Sequence, residues 1–232
     1  MTIKRSKDTH SPFIHYLIEQ NLIGKPHLPA LEQLRVELGL SLSTVREQLE
    51  VARVLGFVEV KPKTGTRLKE YSFTPAVLNS ASYAIEIEPS LFTQYADLRN
   101  HLESAYWVQS VSLLTPMDYH RLQELVSIAQ GKLSSRQISI PHREHRELHL
   151  LLYSRLNNPF VYGILETYWE LYEAKGLAIY ADLSYLKEVW HYHEELVNAV
   201  IRGDHEVGYK MLSEHRNMLM QRKQLVPSQL FE

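Results

Sequence analysis

Residues 38–68, LGLSLSTVREQLEVARVLGFVEVKPKTGTRL, hold two glycines placed to end helices and a third placed to turn a hairpin. Before Gly39, Leu31, Leu34 and Leu38 share one helical face in a segment that starts after Pro29. After it, Ser43 or Thr44 offers an N-cap for a further helix, with Val45, Leu49 and Ala52 inward and Gly56 as terminator. Phe57-Val58-Glu59-Val60 then alternates as a short strand. Lys63-Thr64-Gly65-Thr66 makes a turn, and Arg67-Leu68 begins the return strand. Upstream, Phe13, Ile14, Leu17, Ile18 and Leu22 keep helical spacing from Pro12 to Leu22, where Gly24 stops the run. Helix, helix, short turn, helix and basic hairpin is the order of a winged helix-turn-helix.

That order places chemistry. Ser41, Ser43, Thr44 and Arg46 stand at the start of the third helix, where short hydroxyls and a guanidinium reach phosphates or base edges. Lys61, Lys63 and Arg67 surround the glycine of the hairpin, which suits a groove edge. A generic helical domain with a solvated charged face would need neither the order nor the hydroxyls. Leu28-Pro29-Ala30 through Leu34, Leu38-Gly39-Leu40-Ser41, Thr44-Val45-Arg46-Glu47, Leu49, Gly56-Phe57-Val58 and Lys63-Thr64-Gly65-Thr66 together resemble the GntR-family DNA-binding domain over nearly all of residues 10–70. The resemblance implies a double-stranded DNA operator as partner. It implies too that Ser41, Ser43, Thr44 and Arg46 face DNA from the recognition helix, with Thr64 and Gly65 at the wing tip beside Lys63. Two positions depart from the pattern. Glu32 and Leu42 stand where the family commonly carries cations, so phosphate affinity and its salt dependence are expected to be lower, by about one unit of slope per lost contact.

Charge agrees with a divided chain. Residues 1–70 hold 11 Lys+Arg against 8 Asp+Glu, and residues 71–232 hold 14 against 19. A basic front and an acidic rear fit a first domain that meets phosphate and a second that does not. With no cysteine, disulfides and thiolate metal sites are excluded. Met1 to Lys7 is polar and basic with no apolar core after it, and no 18-residue apolar run occurs. The expectation is a cytoplasmic protein without a membrane partner.

Residues 71–75, with Ser72 and Pro75, read as a linker between a winged domain at 1–70 and an all-helical domain at 76–228. Helices are expected near 74–85, 89–113, 115–132, 139–156, 158–181, 183–202 and 204–225, each bounded by proline, glycine or a polar cap. Thr115-Pro116-Met117-Asp118 is a strong start, and Asn158-Pro159 restarts the chain after Leu156. The fold class is therefore mainly α: a winged helix-turn-helix with a small hairpin, then an antiparallel helical bundle whose Leu, Tyr and Trp stripes form its core.

Of 12 histidines, His142, His145, His149, His191, His193, His205 and His215 fall in the second half. His145 and His149 are four apart, hence on one helical face. Neutral imidazole is the commonest protein ligand for divalent transition metals, and bundles build metal sites from facing helices. One histidine alone carries no such meaning. The pattern does: His145-Arg146-Glu147-Leu148-His149, Asn158-Pro159, His193 to Gly203-Asp204 and His215, with Leu98-Arg99 and Leu102-Glu103 before them, resemble the FCD effector domain of the FadR-like GntR branch over roughly residues 85–220. That resemblance implies a metal held by His149, His193 and His215, with His145 standing where the family has an aspartate, and Arg99 as the domain's early arginine.

Four neutral imidazoles leave a bound ion its full charge and favour Zn²⁺, with Ni²⁺ as the alternative, over oxygen-loving Mn²⁺ or Mg²⁺. By helical geometry His142 can approach the site and His191 points off the His193 face, and both are expected around the ligand set or in solvent, not in it. The expected function is a homodimeric regulator, a repressor by the family's usual logic, controlled by a small carboxylate that completes the metal's coordination and pairs with Arg99. Three other readings stay open: a structural or absent metal with an apolar effector, a sensor of the metal itself, and a metalloenzyme. The last lacks a His-Glu-x-x-His motif, and Glu144 and Glu147 lie off the His145–His149 face or a turn away.

Overall fold

A computed structural model describes residues 10–174 and 183–223, with the backbone alone for 216–223. The segment expected as a polar N-terminus, Met1 to Lys7, lies outside the described residues, as do the helix ends expected at 181 and 225. The chain divides into two compact units, Met1–Asn79 and Ser80–Glu232.

The first unit holds α1 (Pro12–Leu22), α2 (Leu31–Leu38), α3 (Leu42–Val54), β1 (Val58–Lys61) and β2 (Gly65–Leu68). Each boundary has a local cause. Ser11 caps α1 by accepting from the Ile14 N–H, and Pro12 opens the helix where its missing donor costs nothing. Gly39 ends α2 at φ 65°, in the left-handed region. The N-cap of α3 is Ser41, not Ser43 or Thr44 as expected; its hydroxyl accepts from the Thr44 N–H at 3.1 Å. Three hydroxyls stand within four residues here, and the earliest takes the cap. β1 and β2 pair antiparallel, Val58 opposite Leu68 and Lys61 opposite Gly65. The return strand therefore begins two residues earlier than expected: Gly65 and Thr66 already belong to β2, which ends at Leu68.

The hairpin gains a further rung that the sequence did not reveal. His27 bridges to Arg67, with the Leu28 N–H donating to the Thr66 carbonyl at 2.9 Å and the Leu68 N–H to Pro26 at 2.7 Å. Phe13, Leu17, Leu34, Val45, Ala52 and Val58 make the small core beneath.

Next come α4 (Thr74–Ile87), α5 (Leu91–Val111), α6 (Pro116–Ser134), α7 (His142–Tyr153), α8 (Pro159–Ala174), α9 (Leu183–Ile201) and α10 (His205–Lys223). α4 starts at Thr74, as expected for a helix near 74–85, so Thr74 and Pro75 belong to its first turn and not to the linker expected at 71–75. A Cβ at Gly56 would meet the Pro75 Cγ at 2.5 Å, and φ there is 78°, so the position admits little but glycine. Thr115 and Asp118 make a reciprocal capping box on α6, as the Thr-Pro-Met-Asp run suggested. Asn158 accepts from the Phe160 and Val161 N–H groups at the head of α8. α7 starts three residues later than expected, because Pro141 takes its N-cap position.

Within the second unit, α7 packs against α5, α6 and α8, while α9 packs against α6 and α10 and α10 returns to α5. Among the described residues, β1 and β2 are the only strands with names, and no helix is long and apolar enough to cross a membrane.

Candidate metal centre

α7 presents His145 and His149 from successive turns of one face; α9 adds His193 and α10 adds His215. One imidazole nitrogen from each falls within 4.8 Å of the other three. All four expected ligands are thus brought together. His149 and His193 are 1% exposed and His215 2%, and the His145 Nε2 is shut from solvent although the residue as a whole is only half-buried. The His149 and His193 Nε2 atoms face each other at 3.1 Å. Two nitrogens on one Zn²⁺ at about 2.0–2.1 Å would stand about 3.4 Å apart in a tetrahedral site, so this pair is a few tenths of an ångström from the separation that shared coordination asks.

The donor set fits an ion on a second ground. His145 Nε2 is buried with no hydrogen-bond partner in the protein, and a buried polar nitrogen left that way is costly. Burial, followed by the nearby His193, His149 and His215 rings and Arg99, holds His145 well below the ordinary histidine range. Burial, then His149, does the same for His193, against an opposing pull from the Val189 backbone. Both rings are therefore neutral near pH 7, the form in which a nitrogen lone pair is open to a metal.

Beside the four rings stands a buried pair of which sequence reasoning gave a role to Arg99 alone. Arg99 and Glu103 are 2% and 1% exposed, one turn apart on α5, and joined at 2.8 Å. The Glu103 Oε1 lies 3.2 Å from the His149 Nδ1, and an Arg99 Nη lies 2.9 Å from the same nitrogen. The Arg99 guanidinium also rests over the rings of Tyr168 and Trp169, at 4.7 and 5.3 Å. Arg99, expected to face an effector, is thus placed beside the histidines but already answered by an internal carboxylate. The signal that could have found this pair was present: Phe92, Ala96, Arg99, Glu103 and Trp107 form one buried stripe, and two opposite charges at its centre must be paired.

Trp169 and Trp190 wall His145, with ring centroids at 4.7 and 6.1 Å. His142 does not join the cluster; its charged neighbours are Glu173, Glu144 and Lys132. His191 is exposed, off the His193 face as expected. Glu144 is buried against Lys132 at 2.7 Å, and Glu147 binds Arg121, so neither carboxylate enters the site.

In the first unit, Ser41, Ser43, Arg46, Lys63, Thr64 and Gly65 are exposed, and Thr44 is partly so. Ser41 contacts both the Ser43 and Thr44 hydroxyls at 2.8 Å. Lys63 takes φ 70° at the hairpin tip. Glu32 holds Arg35 at 2.6 Å.

Residues 94–217 match the FCD domain family, a span that contains the four histidines, Arg99 and Glu103. The chain belongs to the FCD family. This FCD protein is 25% identical over 187 residues to the HTH-type transcriptional regulator LutR of Bacillus subtilis (strain 168), covering 76% of the chain and 82% of LutR. In fold it is similar to Streptococcus agalactiae GntR, with TM-score 0.59 and 16% identity, over 88% of this chain and 96% of that one. It is similar also to E. coli McbR/YncC, with TM-score 0.50 and 22% identity, over 94% and 100%. A winged helix-turn-helix joined to an FCD domain makes this protein a GntR-family transcriptional regulator.

Proposed function

We propose that this FCD regulator binds operator DNA as a homodimer, and that a divalent metal on His145, His149, His193 and His215 forms the seat of a small carboxylate effector that controls that binding. The observation that carries this reading is the four-imidazole cluster, with the His145 Nε2 buried and otherwise unanswered. Ser41, Ser43, Thr44, Arg46, Lys63, Thr64 and Gly65 are the residues proposed to meet DNA, and their exposure supports this. Paired half-sites require two winged domains, hence the dimer. A repressor released by its effector is the direction proposed.

When bound, the ion supplies a Lewis-acidic position for a carboxylate oxygen. The protein's own share is to keep His145 and His193 neutral, exclude water and set the direction of the imidazoles. Zn²⁺ is the first choice and Ni²⁺ the second, since no carboxylate oxygen belongs to the set. Control requires the effector to bind the DNA-competent and DNA-incompetent states differently, typically by about 1–3 kcal/mol.

A second reading, in which the ion is itself the signal, is favoured by one observation. The Arg99 cation expected to clamp an effector is already paired with Glu103.

Elemental analysis of purified, untagged protein beside a His149→Ala/His193→Ala variant tests the site. One equivalent of metal in the wild type, lost in the variant, supports it; no metal in either, even after reloading, ends it. Titration of a duplex selected from a random pool, with and without metal and then with a carboxylate panel, separates the two readings. A change on metal removal alone marks the ion as the signal.

A further inference from the structure

Metal ligation by histidine asks for one specific tautomer. A ring that binds through Nε2 must carry its proton on Nδ1, and that proton needs an acceptor, or the buried ring will rotate or re-tautomerise. His149 points its Nε2 at His193 and its Nδ1 at α5. On that side stand two candidates. Arg99, at 2.9 Å, has only donors and so cannot receive a proton. Glu103, at 3.2 Å, is an acceptor, and Arg99 holds it in place at 2.8 Å.

Resting on the metal-site reading above, we propose that Glu103 is the positioning residue for His149. Its carboxylate accepts the Nδ1–H, leaves the Nε2 lone pair facing the ion, and makes the ring a better donor. Arg99 in turn orients Glu103, so that α5 sets the ligand geometry of α7 without contributing a ligand. This assigns the buried Arg99–Glu103 pair a task beyond its own neutralisation. It also puts a hydrogen-bond acceptor on the Nδ1 side of His149, where pull on that proton raises the basicity of Nε2.

The test uses full-length protein, Zn²⁺ as probe, and a Glu103→Gln substitution that keeps size and one acceptor but removes the charge. Zinc affinity is measured by competition with a chromophoric chelator, and the His149 tautomer by ring ¹⁵N shifts. Loss of about 10–100-fold in affinity at unchanged stoichiometry, with wild-type His149 protonated at Nδ1, is the expected result. A merely structural pair would move stability and leave the tautomer alone, so thermal unfolding of the metal-free proteins is compared in parallel. Equal affinity in Glu103→Gln, while the wild type still binds zinc, overturns the proposal and spares the metal site. Absence of zinc from the wild type overturns both. Should the variant not fold, the wild-type shifts decide alone: Nδ1 on the metal, with the proton on Nε2, rejects the assignment.

Discussion

The His145 imidazole meets the Trp169 indole edge to face, with ring centroids 4.7 Å apart. Trp190 lies 4.9 Å from His193, so two of the three tryptophans adjoin rings of the proposed ligand set. Ni²⁺ or Cu²⁺, whose open d shells quench a neighbouring excited indole, should extinguish much of the tryptophan emission at one equivalent. Zn²⁺, a closed-shell ion, should bind without comparable quenching and block it when added first. Steady-state emission during titration checks this, and Trp169→Phe should remove a large share of the effect.

His145 stands at a position where an aspartate would change the metal preference. Replacing His145 with aspartate puts an oxygen donor and a negative charge into the set, and should move the ratio of Mn²⁺ to Zn²⁺ affinity upward by about tenfold, or 1.4 kcal/mol. Paired competition titrations read the ratio. An unchanged ratio would place His145 outside the coordination shell.

On the DNA side, Arg46→Ala should weaken binding of a selected duplex and flatten the plot of log affinity against log salt by about one unit if the guanidinium meets a phosphate. Glu32→Gln acts in the opposite direction, because Arg35 loses its 2.6 Å partner and a negative charge leaves the surface. Fluorescence anisotropy from low to high salt gives both slopes.

Arg155 grips Asp118 with two bonds of 2.9 Å, and with Thr115 it holds that carboxyl well below the usual carboxylate range. A carboxyl whose folded pKa is depressed binds protons more readily when unfolded, so its stabilising contribution is full above the unfolded value of 3.8 and fades as pH falls below it. Arg155 is half-exposed, and solvent screens the pair. Denaturant melts from pH 6 to 2 should show wild type and Asp118→Asn far apart at pH 6 and converging below pH 4.

Two glycines in helices should respond in opposite senses to alanine. A Cβ at Gly208 would stand 2.9 Å from the Trp107 ring, which is itself pinned by its Nε1–H to the His205 carbonyl at 2.8 Å; overpacking there should cost about 1–3 kcal/mol. Gly131 in α6 has nothing within 4 Å of such a Cβ, so Gly131→Ala should gain about 0.5–1 kcal/mol. Urea denaturation of both variants reads the signs.

What the sequence disclosed and what it concealed divide along physical lines. Helix ends at Pro12, Gly39, Thr115 and Asn158 are decided by a few neighbouring atoms, and they were legible. The Ser41 cap was misplaced because Ser43 and Thr44 offer the same chemistry within one turn. The His27–Arg67 rung was hidden, since a single bridge across forty residues leaves no periodicity. The histidine cluster could be anticipated only through a family pattern: spacing along one helix joins His145 to His149, but nothing local says that His193 and His215 return to them. Arg99 was marked through the same family pattern as a partner for an effector, and its burial against Glu103 is what changes that meaning.

The fourth histidine comes from α10, the final helix described. During translation the winged helix-turn-helix leaves the ribosome long before His215 does, so a nascent or prematurely ended chain can carry a DNA-reading surface with no complete sensor. On the proposed metal site, each tenfold rise in free metal over the dissociation constant would add about 1.4 kcal/mol to the stability of chains that own all four histidines, and nothing comparable to those that do not. Metal supply would then act as a proofreader of synthesis: it lengthens the proteolytic lifetime of finished regulators and leaves truncated, unregulated DNA binders to be cleared.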